Sequence, residues 1–324
     1  MLREHGPVLR LHDFEPELES FRAEVLRGLR QRPKELPCKF FYDAHGSHLF
    51  DQICELDEYY PTRTELAIMR QHGQELATCL GPQNLLIEYG SGSSTKTRLL
   101  LDVLQEPAAY VPIDISKAQL RRAAAQIARD YPGLEVLPVC ADYTRGVKLP
   151  LLARLVARQI IYYPGSTIGN FHPWEAQRFL QGMAQVAGPG GGLVLGVDLK
   201  KDPRTLHHAY NDRHGITAAF NLNMLARINH ELGANFQLDQ FRHYAFFNPA
   251  HGRIEMHLIS LRDQTVHLAG EEICFQLGES IWTESSYKYT PQAFAQLAGR
   301  AGWDVRAVWT DPDRRFSVQY LSVR

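Results

Sequence analysis

The sequence lacks several patterns that would assign it to a particular class of protein. Its five cysteines lie far apart with no Cys-x-x-Cys pair, which argues against a disulfide framework and favours free thiols in a reducing compartment. No apolar run reaches 18 residues, and the N-terminus has no signal-peptide pattern. We therefore expect a cytoplasmic protein with no membrane partner.

Charge of one sign and metal-binding patterns are also scarce. The formal net charge is −1, and the lysines and arginines are dispersed, so we expect no nucleic-acid partner. Fourteen histidines are present, but none forms a His-x-x-x-His pair on a predicted helix, and we predict no metal site. The 324 residues allow about two domains, and we expect a monomer.

What the sequence does contain is an apolar strand that leads into a glycine turn. Residues 85–89 are followed by Gly90 and Gly92, and then by apolar residues at helical spacing from Thr97. Glycines between a buried strand and a helix N-terminus allow a ligand to approach the backbone closely. A dinucleotide-binding turn has a third glycine where this chain has Thr95, so the turn suits S-adenosylmethionine better than a pyrophosphate.

Acidic residues end the next two predicted strands. Asp114 lies 22 residues after Gly92, near the spacing of about 20 expected for a carboxylate that binds a ribose. The alternative interpretation, less favoured, is a cap for the helix that opens at Ser116. Asp142 could accept a hydrogen bond from an adenine amino group while Tyr143 covers the ring, or it could be a turn residue.

The predicted strands and helices alternate along the chain. Further strands are expected at 159–163 and 193–199, separated by the loop 164–170 and a helix over 174–186. Continuous apolar strands that alternate with helices indicate a parallel sheet covered on both faces. Ligands bind beyond the carboxyl ends of such strands.

We therefore predict an α/β protein with two domains. A Rossmann-like sheet comprises residues 61–200 and 290–324, where the chain closes with a helix and two antiparallel strands. A second, α+β domain comprises residues 1–60 and 201–289 and is expected to cover the ligand edge of the sheet as a lid.

Aromatic residues are dense in the N-terminal part of this second domain, at 39–51 and 58–65. One interpretation is a hydrophobic staple that ties the domain together. The other is that some of the rings pack against a cationic sulfonium or a quaternary ammonium group. Both interpretations can hold, for different rings.

These features together give the chain a resemblance to a known family. It resembles the ergothioneine-pathway histidine Nα-methyltransferases along nearly its whole length, through the segments 41–43, 49–51, 58–65, 90–92, 165–170, 217–221, 254–256 and 283–286. The resemblance implies a Rossmann-like methyltransferase sheet with a substrate-binding domain, and S-adenosylmethionine as the methyl donor. It also implies that L-histidine is converted to its trimethyl betaine, hercynine.

The resemblance also implies which residues form the site. With Gly92 of the glycine turn, the implied cofactor residues are Tyr42, Phe50, Gly90, Ser91, Lys96, Asp114, Asp142 and Tyr143. The residues implied for the amino and carboxylate groups of the amino acid are Tyr59, Gly165, Asn170 and Tyr210. Those implied for the imidazole are Glu284, Ser286 and Met256.

For catalysis we expect an in-line displacement by the neutral α-amine, repeated three times. Tyr42 is the first candidate to pass the released proton outward, and Tyr59 is expected to orient the amine. The alternative substrate is another aromatic amino acid such as tryptophan, which Glu284 and Ser286 disfavour. A cofactor-binding regulator and a nicotinamide-dependent reductase are further rival hypotheses.

Overall fold

The structure of the protein is a computed structural model that describes residues 11–14, 18–92 and 94–324. The described chain divides into two compact units. The first comprises the described residues of Met1–Glu15, Pro61–Lys200 and Tyr289–Arg324, and the second those of Pro16–Tyr60 and Lys201–Lys288.

Strands and helices alternate through the first unit, and the second unit mixes helices with a run of consecutive strands. The strands are β1 (His12–Phe14), β2 (Lys34–Glu35), β3 (Asn84–Tyr89), β4 (Ala109–Asp114), β5 (Glu135–Val136), β6 (Val139–Ala141), β7 (Arg158–Tyr163), β8 (Gly192–Asp198), β9 (Phe241–Asn248), β10 (Arg253–Ser260), β11 (Gln264–Leu268), β12 (Glu271–Phe275), β13 (Ser280–Tyr287), β14 (Trp303–Thr310) and β15 (Phe316–Val323). The helices are α1 (Leu18–Arg30), α2 (Ala44–Glu55), α3 (Tyr60–Leu80), α4 (Thr95–Leu101), α5 (Lys117–Asp130), α6 (Pro173–Ala187), α7 (Pro203–Tyr210), α8 (Ile216–Leu232) and α9 (Pro291–Arg300).

The first unit is built on one large sheet. Its strand order is β1-β6-β4-β3-β7-β8-β15-β14, with β5 also paired to β4. The neighbours from β1 to β8 run parallel, whereas β15 is antiparallel to both β8 and β14. Every residue of β3, β4 and β8 is buried, as expected for strands covered on both faces. The predicted Rossmann-like fold is confirmed.

Local sequence signals explain where two helices of this unit, α9 and α6, begin. The Thr290 side chain accepts a hydrogen bond from the Ala293 amide at 3.1 Å, and Pro291 occupies the first turn of α9. In α6, the Glu175 side chain accepts from the His172 amide at 2.9 Å and completes a capping box.

Two sequence-based expectations for this unit differ from the structure. The apolar run 134–140 predicts a single third strand, but the structure splits it into β5 and β6, because Pro138 between them has no amide to donate to the ladder. The N-terminal segment was expected in the second domain, but β1 lies in the large sheet, where His12 pairs with Val139 and Phe14 with Ala141. There it covers the edge of β6, whose backbone groups would otherwise lack a partner strand.

The second unit combines helices with a smaller sheet. Its four-stranded sheet has the order β2-β13-β10-β9, and β11 and β12 form a separate antiparallel pair. Only the short β2 runs parallel to its neighbour in the four-stranded sheet. The sequence pattern predicts helices near 204–212 and 218–232 and a half-buried antiparallel strand at 253–259, which correspond to α7, α8 and β10. One continuous apolar core of α1, α2, α7, α8 and the sheet strands fills this unit.

Candidate active site

The glycine turn joins β3 to α4 and is held by the end of β4. Gly90 and Gly92 both have positive φ, +75° and +48°, a region that favours glycine. The Gly90 and Ser91 amides donate to the Ile113 carbonyl at 2.8 and 3.2 Å. A Cβ at Gly92 would meet no atom of the described residues within 4 Å, so the turn faces open space.

Asp114 ties the turn to the start of α5. Its Oδ2 accepts from the Gly92 amide at 3.0 Å and its Oδ1 from the Ser116 amide at 2.8 Å. Burial raises the pKa of Asp114, and the two amides oppose that shift. Each oxygen retains a further lone pair, so the carboxylate is fixed in place and can still accept from a pair of hydroxyls. The capping interpretation and the ribose interpretation of this residue are therefore compatible.

The carboxylate of Glu88, which precedes the turn, accepts hydrogen bonds from neighbouring residues of the first unit. Thr97 Oγ1 lies 2.9 and 2.7 Å from the two carboxyl oxygens, and the Tyr110 hydroxyl donates to Oε2. Burial raises the pKa of Glu88 to about 8, although both hydroxyl donors oppose the shift. These bonds make Glu88 an anchor between β3, β4 and α4.

Asp142 and Tyr143 follow β6. Asp142 Oδ1 accepts from the Thr144 amide at 3.0 Å, so the residue does stabilise a turn, as one interpretation expected. The Tyr143 ring stacks on Tyr89 with a centroid separation of 5.5 Å and an interplanar angle of 7°. A Cβ at Gly90 would lie 3.7 Å from the Tyr143 hydroxyl, which places this ring beside the glycine turn.

Glu65, which ends the distinctive segment 58–65, contacts two residues predicted for the site, Lys96 and Gly165. No sequence pattern singles it out. Its two carboxyl oxygens each accept from the Gly165 amide at 3.0 Å, and Lys96 Nζ lies 2.5 Å from Oε2. A Cβ at Gly196 would lie only 2.3 Å from Glu65 Oε1. The glycine on β8 therefore leaves the space in which the carboxylate holds both Lys96 and the loop after β7.

Asn170 lies at the end of that loop, in a 3-10 turn over Thr167–Asn170. The loop is anchored to β8, because Ser166 Oγ accepts from the Asp198 amide at 2.8 Å. Gly165 and Ser166 both have positive φ, +79° and +58°. The structure thus places Gly165 and Asn170 in the first unit, with the glycine turn and Lys96.

The predicted aromatic residues Tyr42, Phe50 and Tyr59 form a cluster in the second unit. Phe50 lies 5.6 Å from Tyr42 and 6.3 Å from Tyr59 between ring centroids, both in edge-on contact. Tyr42 and Phe50 also pack on Phe220 of α8, at 5.8 and 5.9 Å. Tyr59 contacts Tyr210 edge-on at 6.4 Å.

Asp43 fixes the backbone beside Tyr42. It caps α2 by accepting from the Gly46 amide at 2.6 Å, and it also accepts from Asn223 Nδ2 at 2.9 Å. A Cβ at Gly46 would lie 1.7 Å from the Phe41 carbonyl oxygen, so only glycine fits there. Asp43 and Gly46 thus fix the backbone at the start of α2, directly after Tyr42.

Glu284 and Met256 face each other across β13 and β10. They are register partners at a β-bulge, where Thr283 is passed over in the pairing. Thr283 Oγ1 donates to Asn221 Oδ1 at 2.7 Å and lies 3.1 Å from the Met256 carbonyl oxygen. A bulge re-aims the side chains beside it, and this one is held by α8 through Asn221.

Asn221 continues this network to Tyr210. Its Nδ2 lies 2.9 Å from His243 Nδ1, and His243 Nε2 lies 2.9 Å from the Tyr210 carbonyl oxygen. Burial lowers the pKa of His243, which favours the neutral ring. The partners are consistent with a neutral ring that accepts at Nδ1 and donates from Nε2. The network supports the backbone at the end of α7.

Tyr210 and Ser286 meet at a buried lysine that sequence reasoning missed. The Tyr210 hydroxyl donates to Ser286 Oγ at 2.8 Å. Lys288 Nζ donates to Ser286 Oγ at 2.7 Å and to the Tyr210 hydroxyl at 3.1 Å. The only signal in the sequence was the spacing, since residues 286 and 288 share a face of an extended segment.

Two side chains of this cluster have strongly shifted pKa values. Burial raises the pKa of Glu284 to about 7, and Lys288 opposes that shift. Within the described residues no hydrogen-bond donor contacts the Glu284 carboxylate. Burial, together with Tyr210 and other neighbours, raises the pKa of Tyr59 well above its usual value, so this phenol stays protonated at neutral pH.

The structure therefore collects the predicted residues into two groups, one in each unit. The group in the first unit contains Gly90, Ser91, Gly92, Lys96, Asp114, Asp142, Tyr143, Gly165 and Asn170. The group in the second unit contains Tyr42, Phe50, Tyr59, Tyr210, Met256, Glu284 and Ser286. In the described part of the chain, no three histidine, cysteine or carboxylate side chains are placed to share a metal ion. No described helix combines the length and apolarity needed to cross a membrane.

Comparison with known proteins gives consistent matches. The family described as "Histidine-specific methyltransferase, SAM-dependent" matches residues 21–323. A histidine N-alpha-methyltransferase of Mycolicibacterium smegmatis is 43% identical over 94% of this chain and 95% of its own length, and one of Mycobacterium tuberculosis is 42% identical over 92% and 94%. Ergothioneine biosynthesis protein 1 of Neurospora crassa is 31% identical over 90% of this chain and 34% of its own length.

Proposed function

Because the chain belongs to the family of histidine-specific, S-adenosylmethionine-dependent methyltransferases, we propose that it trimethylates the α-amino group of L-histidine to give hercynine, the first step of ergothioneine biosynthesis. It is a histidine Nα-methyltransferase, and S-adenosylmethionine is its methyl donor. We also propose that it acts in the cytoplasm as a monomer, in keeping with five cysteines that form no disulfide.

The observation that carries the substrate proposal is the group of polar side chains on one sheet of the second unit. Glu284 offers a carboxylate with no donor from the described residues, and Ser286 offers a hydroxyl two positions along the same strand. Together they supply an acceptor and a donor, the pair that a neutral imidazole ring requires. Met256, the register partner of Glu284, adds apolar surface beside them.

The residues of the first unit fit the methyl donor. Ser91 Oγ is buried and has no hydrogen-bond partner among the described residues, which leaves it available to a ligand at the turn. Asp114 would accept from the ribose hydroxyls, and Asp142 with Tyr143 would hold the adenine. We assign Lys96, Tyr42 and Phe50 to the donor from the family resemblance. S-adenosylmethionine, when bound, supplies a methyl group on a positively charged sulfur.

The protein residues must keep the substrate nitrogen neutral and aligned. A protonated amine has no lone pair, so each of the three transfers requires that a proton leave the nitrogen. We propose that Tyr59 orients the amine by hydrogen bonding. Its raised pKa keeps it a protonated phenol, so it has no phenolate oxygen to take the proton from the amine. Tyr42 is then the candidate that passes the proton outward.

The proposed reaction is tested with purified protein, methyl-labelled S-adenosylmethionine and L-histidine or L-tryptophan. Mass spectrometry should show the mono-, di- and trimethyl forms of histidine, with hercynine as the final product. Glu284→Ala should lower the preference for histidine over tryptophan, because a polar site left unpaired by the wrong substrate discriminates by up to about 10⁴ to 10⁵-fold. Faster methylation of tryptophan by the wild type would overturn the substrate assignment.

A further inference from the structure

Lys288 is a buried cation in the second unit that the family resemblance does not explain. Lys288 is only 3% exposed, and its ammonium lies 5.1 Å from the centroid of the Tyr210 ring. Burying an ammonium costs free energy unless hydrogen bonds and charges compensate. Here Ser286 and Tyr210 accept from it, at 2.7 and 3.1 Å.

The chemistry of the ammonium determines what Ser286 can do. A lysine ammonium has three donors and no acceptor. Ser286 Oγ therefore accepts from Lys288, and it accepts a second hydrogen bond from the Tyr210 hydroxyl at 2.8 Å. These two bonds use both lone pairs of the serine oxygen. Its own proton remains, and donation is the one function left to Ser286.

In this arrangement the lysine and the tyrosine leave Ser286 with one proton to give and no free lone pair. The lysine thus helps to make Ser286 a donor toward a ligand.

Glu284 supplies the opposite function two residues before Ser286. An ionised carboxylate only accepts, and no donor of the described residues contacts this one. A neutral imidazole matches the two functions, because one nitrogen carries a proton and the other a lone pair. A pyrrole or an indole has an N–H group and no ring lone pair to accept from the serine.

We propose that Lys288 is a positioning residue that holds Ser286 as a donor and thereby selects a neutral ring with an accepting nitrogen. This inference rests on the proposed methylation of histidine. It adds a determinant of specificity, because the discrimination against rings without an accepting nitrogen would depend on a lysine that need not touch the substrate.

The test compares three substrates in wild type and Lys288→Met. The two pyrrolylalanine isomers keep one N–H and lack the accepting nitrogen, whereas 4-thiazolylalanine keeps an accepting nitrogen and lacks the N–H. In Lys288→Met, the Ser286 proton can turn to the Tyr210 oxygen that the lysine no longer occupies. The ratio of kcat/KM for histidine to that for the better pyrrolylalanine should then fall by at least about tenfold. The ratio of histidine to thiazolylalanine should stay within about twofold.

Lys34→Met is the matched control. Lys34 is another buried lysine of the second unit, at 1% exposure, and it donates to the Cys274 carbonyl at 2.9 Å and pairs with Glu279. This variant should lose stability but keep the wild-type ratio for pyrrolylalanine. A loss of packing alone would therefore not reproduce the effect expected of Lys288→Met.

A second pair of variants decides the matter if Lys288→Met does not fold. Lys288→Arg keeps a donor-only group and should retain the discrimination, whereas Lys288→Gln offers an oxygen that can accept from Ser286 and should relax it. An unchanged ratio in a folded Lys288→Met or Lys288→Gln enzyme would overturn the inference. Wild-type protein that does not methylate histidine at all would instead refute the proposed function.

Discussion

At the scale of single residues, the two units hold side chains with contrasting protonation behaviour. Tyr59 is kept as a neutral phenol by a raised pKa, and Glu284 has its pKa raised to about 7. Asp114 is buried too, but two backbone amides occupy one position on each of its oxygens. Glu284 therefore titrates near neutral pH, whereas Tyr59 stays a protonated donor and Asp114 is held in place by its two amides.

The two tyrosines should differ in how they affect turnover. Tyr42→Phe removes the proposed proton route and should lower kcat by about 10² or more, the range for a positioned acid–base group. Tyr59→Phe removes an orienting hydrogen bond and should raise KM for histidine as well. Steady-state kinetics with separate measurement of the mono-, di- and trimethyl products checks both. Full trimethylation at the normal rate in both variants would refute the assignment.

Glu284 should make histidine binding depend on pH. Its pKa is raised above the usual 4.5 to about 7, so the carboxylate is ionised above pH 7 and becomes protonated as the pH falls through 7. The carboxylate then loses acceptor strength toward an imidazole N–H. We expect KM for histidine to rise below pH 7 more steeply in wild type than in Glu284→Gln.

The ratio of the two KM values is the informative measurement, because titration of histidine itself affects both enzymes equally. This ratio should change by about tenfold per pH unit well below pH 7 if one proton is involved. A ratio that is constant from pH 5 to 8 would show that the Glu284 carboxylate does not contribute to binding.

At the scale of secondary-structure elements, a glycine on β8 leaves room for a carboxylate from α3. Gly196→Ala would place a Cβ 2.3 Å from Glu65 Oε1 and 2.8 Å from the Phe316 ring. Such overpacking costs about 1 to 3 kcal/mol of unfolding free energy. Because Glu65 holds Lys96 and the Gly165 amide, this variant should also bind S-adenosylhomocysteine more weakly.

Gly182→Ala is the matched control for this substitution. Gly182 lies within α6, and a Cβ there would meet no atom of the described residues within 4 Å. Alanine in a helix interior is more stable than glycine by roughly 0.5 to 1 kcal/mol. Urea unfolding should therefore show opposite signs for the two variants. Equal stability of Gly196→Ala and wild type would contradict the packing argument.

The elements could be predicted where one local signal dominates. The buried strands β3, β4, β7 and β8 follow from continuous apolar runs, and α9 from its Thr-Pro start. The position of β1 could not be predicted, because three mostly exposed residues carry no pattern and their pairing with β6 depends on a distant edge. Pro138 is visible in the sequence, but the apolar run around it predicts one strand where the structure has two.

The residues of the candidate site also differ in whether the sequence alone could identify them. Asp114 could be recognised because its type and spacing follow from the strand-turn-helix unit. Glu65, Lys288 and Asn221 could not be recognised from pattern alone, because each has a partner far away in the chain: Gly165, Tyr210 and Thr283, respectively. A glutamate in the middle of a helix or a lysine after a strand normally indicates a solvated surface, and only the tertiary structure shows them buried.

At the scale of the whole molecule, the chain contains two sets of functional groups with different chemistry. The first unit presents a glycine turn, a fixed carboxylate and aromatic rings, and the second presents tyrosines with a donor and an acceptor for a ring. The family assignment indicates one reaction for the whole chain, which is methyl transfer to the α-nitrogen of histidine. The residues proposed for this reaction thus come from both units, which are interleaved along the chain.

The most direct test of this account is calorimetric titration of the protein with Nα,Nα-dimethylhistidine in the presence of S-adenosylhomocysteine. We predict that this last intermediate binds more tightly than tryptophan by at least about tenfold, and that Glu284→Ala abolishes the difference. Tryptophan that binds as tightly as dimethylhistidine to the wild type, or a preference that survives in Glu284→Ala, would contradict the central claim.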